Sequence, residues 1–154
     1  LAACRAEGVH TALDTSGFAP REVLLEAAAL SDLVLFDLKV LDDTVHREAT
    51  GVSNEPILAN LRALATVHPE IWLRVPVVPG VNDDAAGIEA IGVLAAGLPG
   101  VRKVSLLPYH GTGAPKTQRL GHSPGREFTS PSHEHMEALA RLVAARGVDT
   151  TIGG

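Results

Sequence analysis

Four times along this chain a short run of apolar and β-branched residues is followed by a stretch whose apolar positions recur at helical spacing; the runs begin near Val9, Leu33, Ile71 and Val101. Strands spaced by roughly 30 residues with a helix between them are joined by crossover connections, and crossovers build parallel sheets with helices packed on them. The expected fold is therefore α/β, with four to five parallel strands and flanking helices, Val148–Ile152 being the short fifth strand. Four full units cannot close an eight-stranded barrel, so the candidates are a small open sheet or a partial parallel (β/α) barrel. At 154 residues, 1–154 reads as a single domain.

The run Leu33–Lys39 shows the pattern most plainly. Alternation puts Val34, Phe36 and Leu38 on one face and Leu33, Leu35, Asp37 and Lys39 on the other. An apolar run on both faces reads as a buried parallel strand, and its charges fall at the C-terminal end. Val23, Ala27 and Leu30 predict the buried stripe of the first full helix, after Pro20. Residues 42–53 read as a loop with a short helical turn. Asn54 reads as the N-cap of a helix buried along Ile57, Leu61 and Leu64; Asn82 or Asp83 as the cap of one buried along Ile88, Ile91 and Ala95. Pro76 lacks an amide donor, which places it near the end of the third strand or at a bulge. Residues 111–130 show no period and read as a long loop. A last helix follows Ser130-Pro131, with Met136, Leu139 and Val143 inward.

Composition removes several function classes. A net charge of -5 and 3% aromatic content provide neither a basic footprint nor a stacking surface for nucleic acid. No apolar run reaches the ~20 residues of a membrane span, and no signal-peptide pattern is present, so the reading is cytoplasmic, with neither membrane nor nucleic acid as partner. The single cysteine, Cys4, excludes an internal disulfide and a cysteine cage built from this chain alone. Leu1–Glu7 followed by Gly8 resembles the last turns of a helix. The expectation is of strands upstream and, without them, of an unpaired edge at Val9 prone to association.

Polar residues recur where the runs end: Asp14 at the first, Asp37 and Lys39 at the second, Arg74 within the third, His110 after the fourth. Singly, each has an ordinary explanation: a turn aspartate, a solvated lysine, an arginine paired outward, a loop histidine. Parallel strands bring their C-terminal ends to one rim, however, and two carboxylates, two cations and an imidazole there suit a zwitterionic, hydroxyl-bearing ligand.

At these positions the chain resembles a family. His10-Thr-Ala-Leu-Asp-Thr-Ser-Gly17, Asp37-Leu-Lys39, Thr50-Gly-Val-Ser-Asn54, Arg74-Val-Pro-Val-Val-Pro-Gly80 and Leu106-Leu-Pro-Tyr-His110 occur in this order in the activating enzymes of glycyl radical enzymes, members of the radical S-adenosylmethionine superfamily with a partial parallel barrel. The resemblance implies that a [4Fe-4S] cluster reductively cleaves S-adenosylmethionine and that the 5'-deoxyadenosyl radical takes a hydrogen atom from a glycine of a partner glycyl radical enzyme, pyruvate formate-lyase or a relative. A flavodoxin or ferredoxin as electron donor is implied likewise. Carried over residue by residue, Asp37 and Lys39 contact S-adenosylmethionine, His110 and the backbone near Leu107 lie beside its adenosine, and Arg74 lies close by. Asp14, Thr15, Asp37 and the Leu35 backbone frame a monovalent-cation site. Lys116 has a counterpart in the family's variable segment.

The family's CxxxCxxC cluster motif and its Gly-Gly-Glu motif are not in this chain. A [4Fe-4S] cluster with one open iron needs three thiolates, which Cys4 cannot supply, so the chain by itself is expected to be inactive. Two other readings stay open on the residues alone: an aldolase-like barrel fragment with Lys39 as Schiff-base former, and a non-catalytic half-barrel that binds a nucleoside or a protein.

Overall fold

The apolar runs do become strands and the periodic stretches helices. The computed structural model describes residues 1–110 and 129–153. The elements follow as α1 (Ala2–Ala6), β1 (Ala12–Thr15), α2 (Arg21–Ala29), β2 (Leu33–Asp37), α3 (Asp43–Thr50), α4 (Glu55–Val67), β3 (Ile71–Val77), α5 (Ala85–Ala96), β4 (Val101–Pro108), α6 (His133–Ala144) and β5 (Asp149–Ile152). The strands form one parallel sheet in the order β1-β2-β3-β4-β5. Each strand is laid beside the one before it, the winding of a barrel segment; a doubly wound sheet would reverse its order partway. The long loop expected over 111–130, with Lys116 in it, lies outside the described residues except for its last two positions. Among the described residues no helix is long and apolar enough to cross a membrane.

Burial separates the two faces of the sheet. Val34 and Phe36 of β2, Ile71, Leu73, Val75 and Val77 of β3, and Val104 and Leu106 of β4 are fully buried. They pack with Leu24 and Ala28 of α2, Ile57, Leu61 and Leu64 of α4, Ile88, Ile91 and Ala95 of α5, and Met136, Leu139 and Val143 of α6. Each large aliphatic side chain buried this way contributes about 1.5–3 kcal/mol. The alternate positions, Leu33, Leu35, Asp37, Trp72 and Arg74, are only half-buried. The apolar run of β2 is thus covered fully on one face, and its second face is the open one that carries the charges.

Several local expectations shift. β1 starts at Ala12, with Val9 exposed, because β1 is the edge strand and its pairing begins only where Ala12 meets Leu33. Just before it, Asp32 accepts from the Thr11 amide at 2.7 Å, and that hydrogen bond leads in holding the Asp32 carboxyl below its ordinary range. α2 buries Leu24 and Ala28, while Val23 of the expected stripe is exposed. Both stripes are apolar, so periodicity by itself does not choose between them, and packing against α4 and the sheet buries the one through Leu24 and Ala28. Residues 43–50 form a full helix: Asp42 caps it through Val45, and Gly51, at φ 80°, ends it in the left-handed region. α3 lacks the apolar stripe that periodicity detects, and its Asp43–Arg47 pair at 2.6 Å and buried His46 hold it instead. α5 is capped by Asp84, one or two residues later than expected.

Pro76 is the second-to-last residue of β3, and the bulge lies elsewhere, at Ile71/Trp72. The even-numbered residues of β3 turn their main-chain groups toward β2, as the Leu38 amide on the Arg74 carbonyl shows. Pairing with β2 stops at Asp37↔Arg74, so the missing donor of Pro76 falls beyond the ladder and costs no hydrogen bond.

Candidate functional site at the strand ends

Register decides which side chains meet. Asp14 lies opposite Leu35, Asp37 opposite Arg74, Arg74 opposite Ser105, and Ser105 opposite Thr151. Partners in parallel strands share a face, so these polar residues form a row across the open face near the C-terminal ends. Below that row Trp72 donates from Nε1 to Glu70 at 2.8 Å and carries the Lys103 ammonium over its ring, 4.6 Å from the centroid. Above it Leu107 lies opposite Pro76, and His110 follows β4 by two residues, exposed.

Arg74 is the centre of the row. Its Nε donates to Asp37 Oδ1 at 2.8 Å, one terminal nitrogen reaches the same oxygen at 2.7 Å, and that nitrogen also pairs with Asp14. Both carboxylates therefore converge on one guanidinium nitrogen. Burial opposes the charged form of Arg74, yet the neighbouring Asp37 and Asp14 outweigh it and hold the guanidinium above its ordinary value. Lys39 approaches the other oxygen of Asp37 at 3.8 Å, with its side chain 42% exposed. Asp37 thus serves two cations, and the row alternates in sign: Asp14, Arg74, Asp37, Lys39.

Thr15 stands apart from its sequence neighbour. It lies opposite Phe36, on the helix-covered face, and its hydroxyl accepts from the Gly17 amide at 3.0 Å. Beside Lys39 an open groove of about 240 Å³ runs between Ser16, Phe18, Val52 and Thr50. This is below the roughly 300–1,000 Å³ of a complete small-molecule pocket, so the groove encloses only part of a ligand of cofactor size.

Sequence reading did not single out Ser105 and Thr151, whose hydroxyls lie 3.1 Å apart and extend the polar row to β5. Counting back by twos from Leu107 reaches Ser105, so strand alternation held a signal for it. It also did not single out Asp43, which accepts from Arg47, from the Ser53 hydroxyl at 2.7 Å and from the Asn54 amide at 2.8 Å. Those contacts, Arg47 foremost, hold its carboxyl down to about 2 and fasten α3 to the start of α4 beside the groove. Cys4, the only cysteine, is exposed on α1, and no group of three or more His, Cys, Asp or Glu able to hold a metal ion occurs among the described residues.

No family model matches the chain. It is 37% identical over 153 residues to the trans-4-hydroxy-L-proline dehydratase activating enzyme of Clostridioides difficile, which covers 98% of this chain and 51% of that protein. It is 36% identical over 148 residues to the pyruvate formate-lyase 1-activating enzyme of Escherichia coli K12, covering 94% of this chain and 60% of the relative. Among solved structures, a domain of the pyruvate-formate lyase-activating enzyme from Bacteroides vulgatus superposes with a TM-score of 0.83 at 32% identity, over 99% of this chain and 86% of the other. The chain spans about half to three fifths of the length of the full relatives it matches. With five ordered motifs, a five-stranded parallel sheet and a solved domain matched along nearly its whole length, the chain belongs to the activating enzymes of glycyl radical enzymes.

Proposed function

We propose that this chain provides part of the S-adenosylmethionine pocket of a radical S-adenosylmethionine enzyme that installs a glycyl radical on a partner such as pyruvate formate-lyase. The observation that carries the reading is the convergence of Asp14, Asp37, Arg74 and Lys39 on the open face of the sheet. When bound, S-adenosylmethionine and a [4Fe-4S] cluster supply the radical chemistry that takes a hydrogen atom from the partner's glycine.

The donor set fits the first of these groups. S-adenosylmethionine carries a carboxylate, an ammonium, a sulfonium and two ribose hydroxyls. A lysine at the rim complements the carboxylate, and Asp37 accepts from the ammonium or the hydroxyls. Leu107 and His110, one level higher, border the adenosine. Arg74 supports this set by holding Asp37 in place. The guanidinium between Asp14 and Asp37 also marks a position where positive charge is stable, and a monovalent cation there would be held by the two carboxylates, with main-chain groups of Thr15 and Leu35 completing the shell, since the Thr15 hydroxyl lies on the other face. In this structure Arg74 fills that position.

The cluster does not fit the residues present, because one exposed thiol on an outer helix cannot replace three. A flavodoxin- or ferredoxin-like donor belongs to the same reading. Reconstituting this chain with iron and sulfide is expected to give colourless protein. Brown protein with stoichiometric iron and absorption near ~400 nm would show that other groups ligate a cluster.

Titration with S-adenosylmethionine, followed by NMR, tests the pocket. Binding in the millimolar range is expected for half a pocket, and Lys39→Ala and Asp37→Ala should each weaken it about tenfold or more, the loss of one charged contact. Unchanged affinity in both variants would sink the assignment. The aldolase-like alternative has little support, since the Lys39 side chain is paired with Asp37 in a chain whose relatives are activating enzymes. Borohydride trapping of a carbonyl substrate on Lys39 would revive it.

A further inference from the structure

Three consecutive main-chain carbonyls follow β2, and buried asparagine side chains hold all three. Asn82 Nδ2 donates to Lys39 O at 2.5 Å and to Pro76 O at 2.7 Å, while its Oδ1 accepts from the Val78 amide at 2.7 Å. Asn54 Nδ2 donates to Val40 O at 3.1 Å and to Leu41 O at 2.8 Å. The two asparagines are 7% and 1% exposed and come from different places, the β3–α5 loop and the residue before α4. A chain leaving a parallel strand has lost its ladder partners, so its carbonyls normally turn to water.

Helix capping does not explain either asparagine. Asn54 stands at the N-cap of α4 but makes no side-chain cap bond, and α5 is capped by Asp84 rather than Asn82. A buried carboxamide is costly unless its groups are bonded, and here the donors are spent on residues 39–41 and on Pro76. From this we infer that Asn54 and Asn82 are positioning residues for Lys39, a clamp that holds the carbonyl of the lysine and those of the two residues after it, while the ladder bond from the Leu38 amide to the Arg74 carbonyl holds the residue before it. Through Pro76 the clamp also ties Lys39 to β3, two residues beyond Arg74, so the two cations that share Asp37 keep a fixed separation. The ligand role of Lys39 rests on the function proposed above; the clamp itself does not.

The chain has three lysines, Lys39, Lys103 and Lys116, so reductive methylation with ¹³C-formaldehyde gives three side-chain NMR signals. Asn82→Asp retains an acceptor for the Val78 amide and removes both donors, and Asn54→Asp removes the donors to Val40 and Leu41. If Asn82 served only the turn at Val78, the Asp variant would behave as the parent. The clamp predicts that the Lys39 signal shifts and sharpens while Lys103 stays, that hydrogen exchange over residues 38–42 accelerates about tenfold or more relative to α5, and that S-adenosylmethionine binds about tenfold more weakly. Should a carboxylate prevent folding, Asn82→Ala removes the same donors without added charge and is read by the same signals. Folded variants with unchanged Lys39 signal and exchange would overturn the clamp. A parent that does not bind S-adenosylmethionine would overturn the proposed function instead, leaving the exchange and lysine signals to decide the clamp.

Discussion

Gly17→Ala is expected to destabilise the fold by about 3–4 kcal/mol, a large part of the 5–15 kcal/mol that a domain of this kind holds. Two effects combine at this position. Gly17 has φ 73°, where a Cβ strains the backbone, and a Cβ built there runs into the ring of Phe36, itself fully buried under the turn that follows β1. The ring has little room to retreat, because the core around it is close-packed. The turn is fixed from the other side as well: Asn60 Nδ2 donates to the carbonyls of Gly17 and Ala19, at 2.9 Å each. Gly51→Ala is the matched control, with φ 80° and nothing within 4 Å of the added carbon. It should cost only the backbone strain, about 1–2 kcal/mol. Chemical denaturation of both variants measures the difference, and equal costs would mean that the Phe36 ring moves aside easily. Because the same turn carries Asp14 into the site and Ser16 and Phe18 onto the groove, partial loss of ligand binding should accompany the loss of stability.

Replacing Arg74 by methionine keeps the apolar stem and removes the charge that Asp14 and Asp37 share. A loss of about 2 kcal/mol is expected, less than for a fully buried pair because Asp14 is 61% exposed and Lys39 still serves Asp37. Two neighbouring carboxylates left without their common cation repel each other, so Arg74→Met/Asp37→Asn should recover part of the loss, and a double-mutant cycle isolates the coupling. The variant also tests the cation position. With Arg74 absent, potassium or sodium chloride should raise the melting temperature of Arg74→Met more than choline chloride at equal ionic strength, since a bound ion stabilises the folded state by mass action while general screening acts alike for all three salts. The parent, whose guanidinium fills the position, should respond equally to the three. A variant as stable as the parent, or one that answers to choline as to potassium, would remove both the shared-charge account and the cation site built on it.

Much of this molecule is written locally. The alternation in Leu33–Leu38 already separates Val34 and Phe36 from Leu35 and Asp37, and the burial of β2 follows that division. The stripes Ile57/Leu61/Leu64, Ile88/Ile91/Ala95 and Met136/Leu139/Val143 are the buried faces of α4, α5 and α6. Such features depend on periods of two and 3.6 residues, which a short window of sequence contains. The five motifs, equally local, identified the family. What a window does not contain is register: that Asp37 meets Arg74 and Arg74 meets Ser105 depends on how helices of different lengths return each strand to the sheet, and a slip of one residue would turn Arg74 into the core. The asparagines show the same division. Asn54 and Asn82 read as helix caps because capping is the nearest use for a short amide side chain. Folding offered them stronger partners, the unpaired carbonyls of residues 39–41, which lie 13 to 43 positions away along the chain and are neighbours only once the strands are in place.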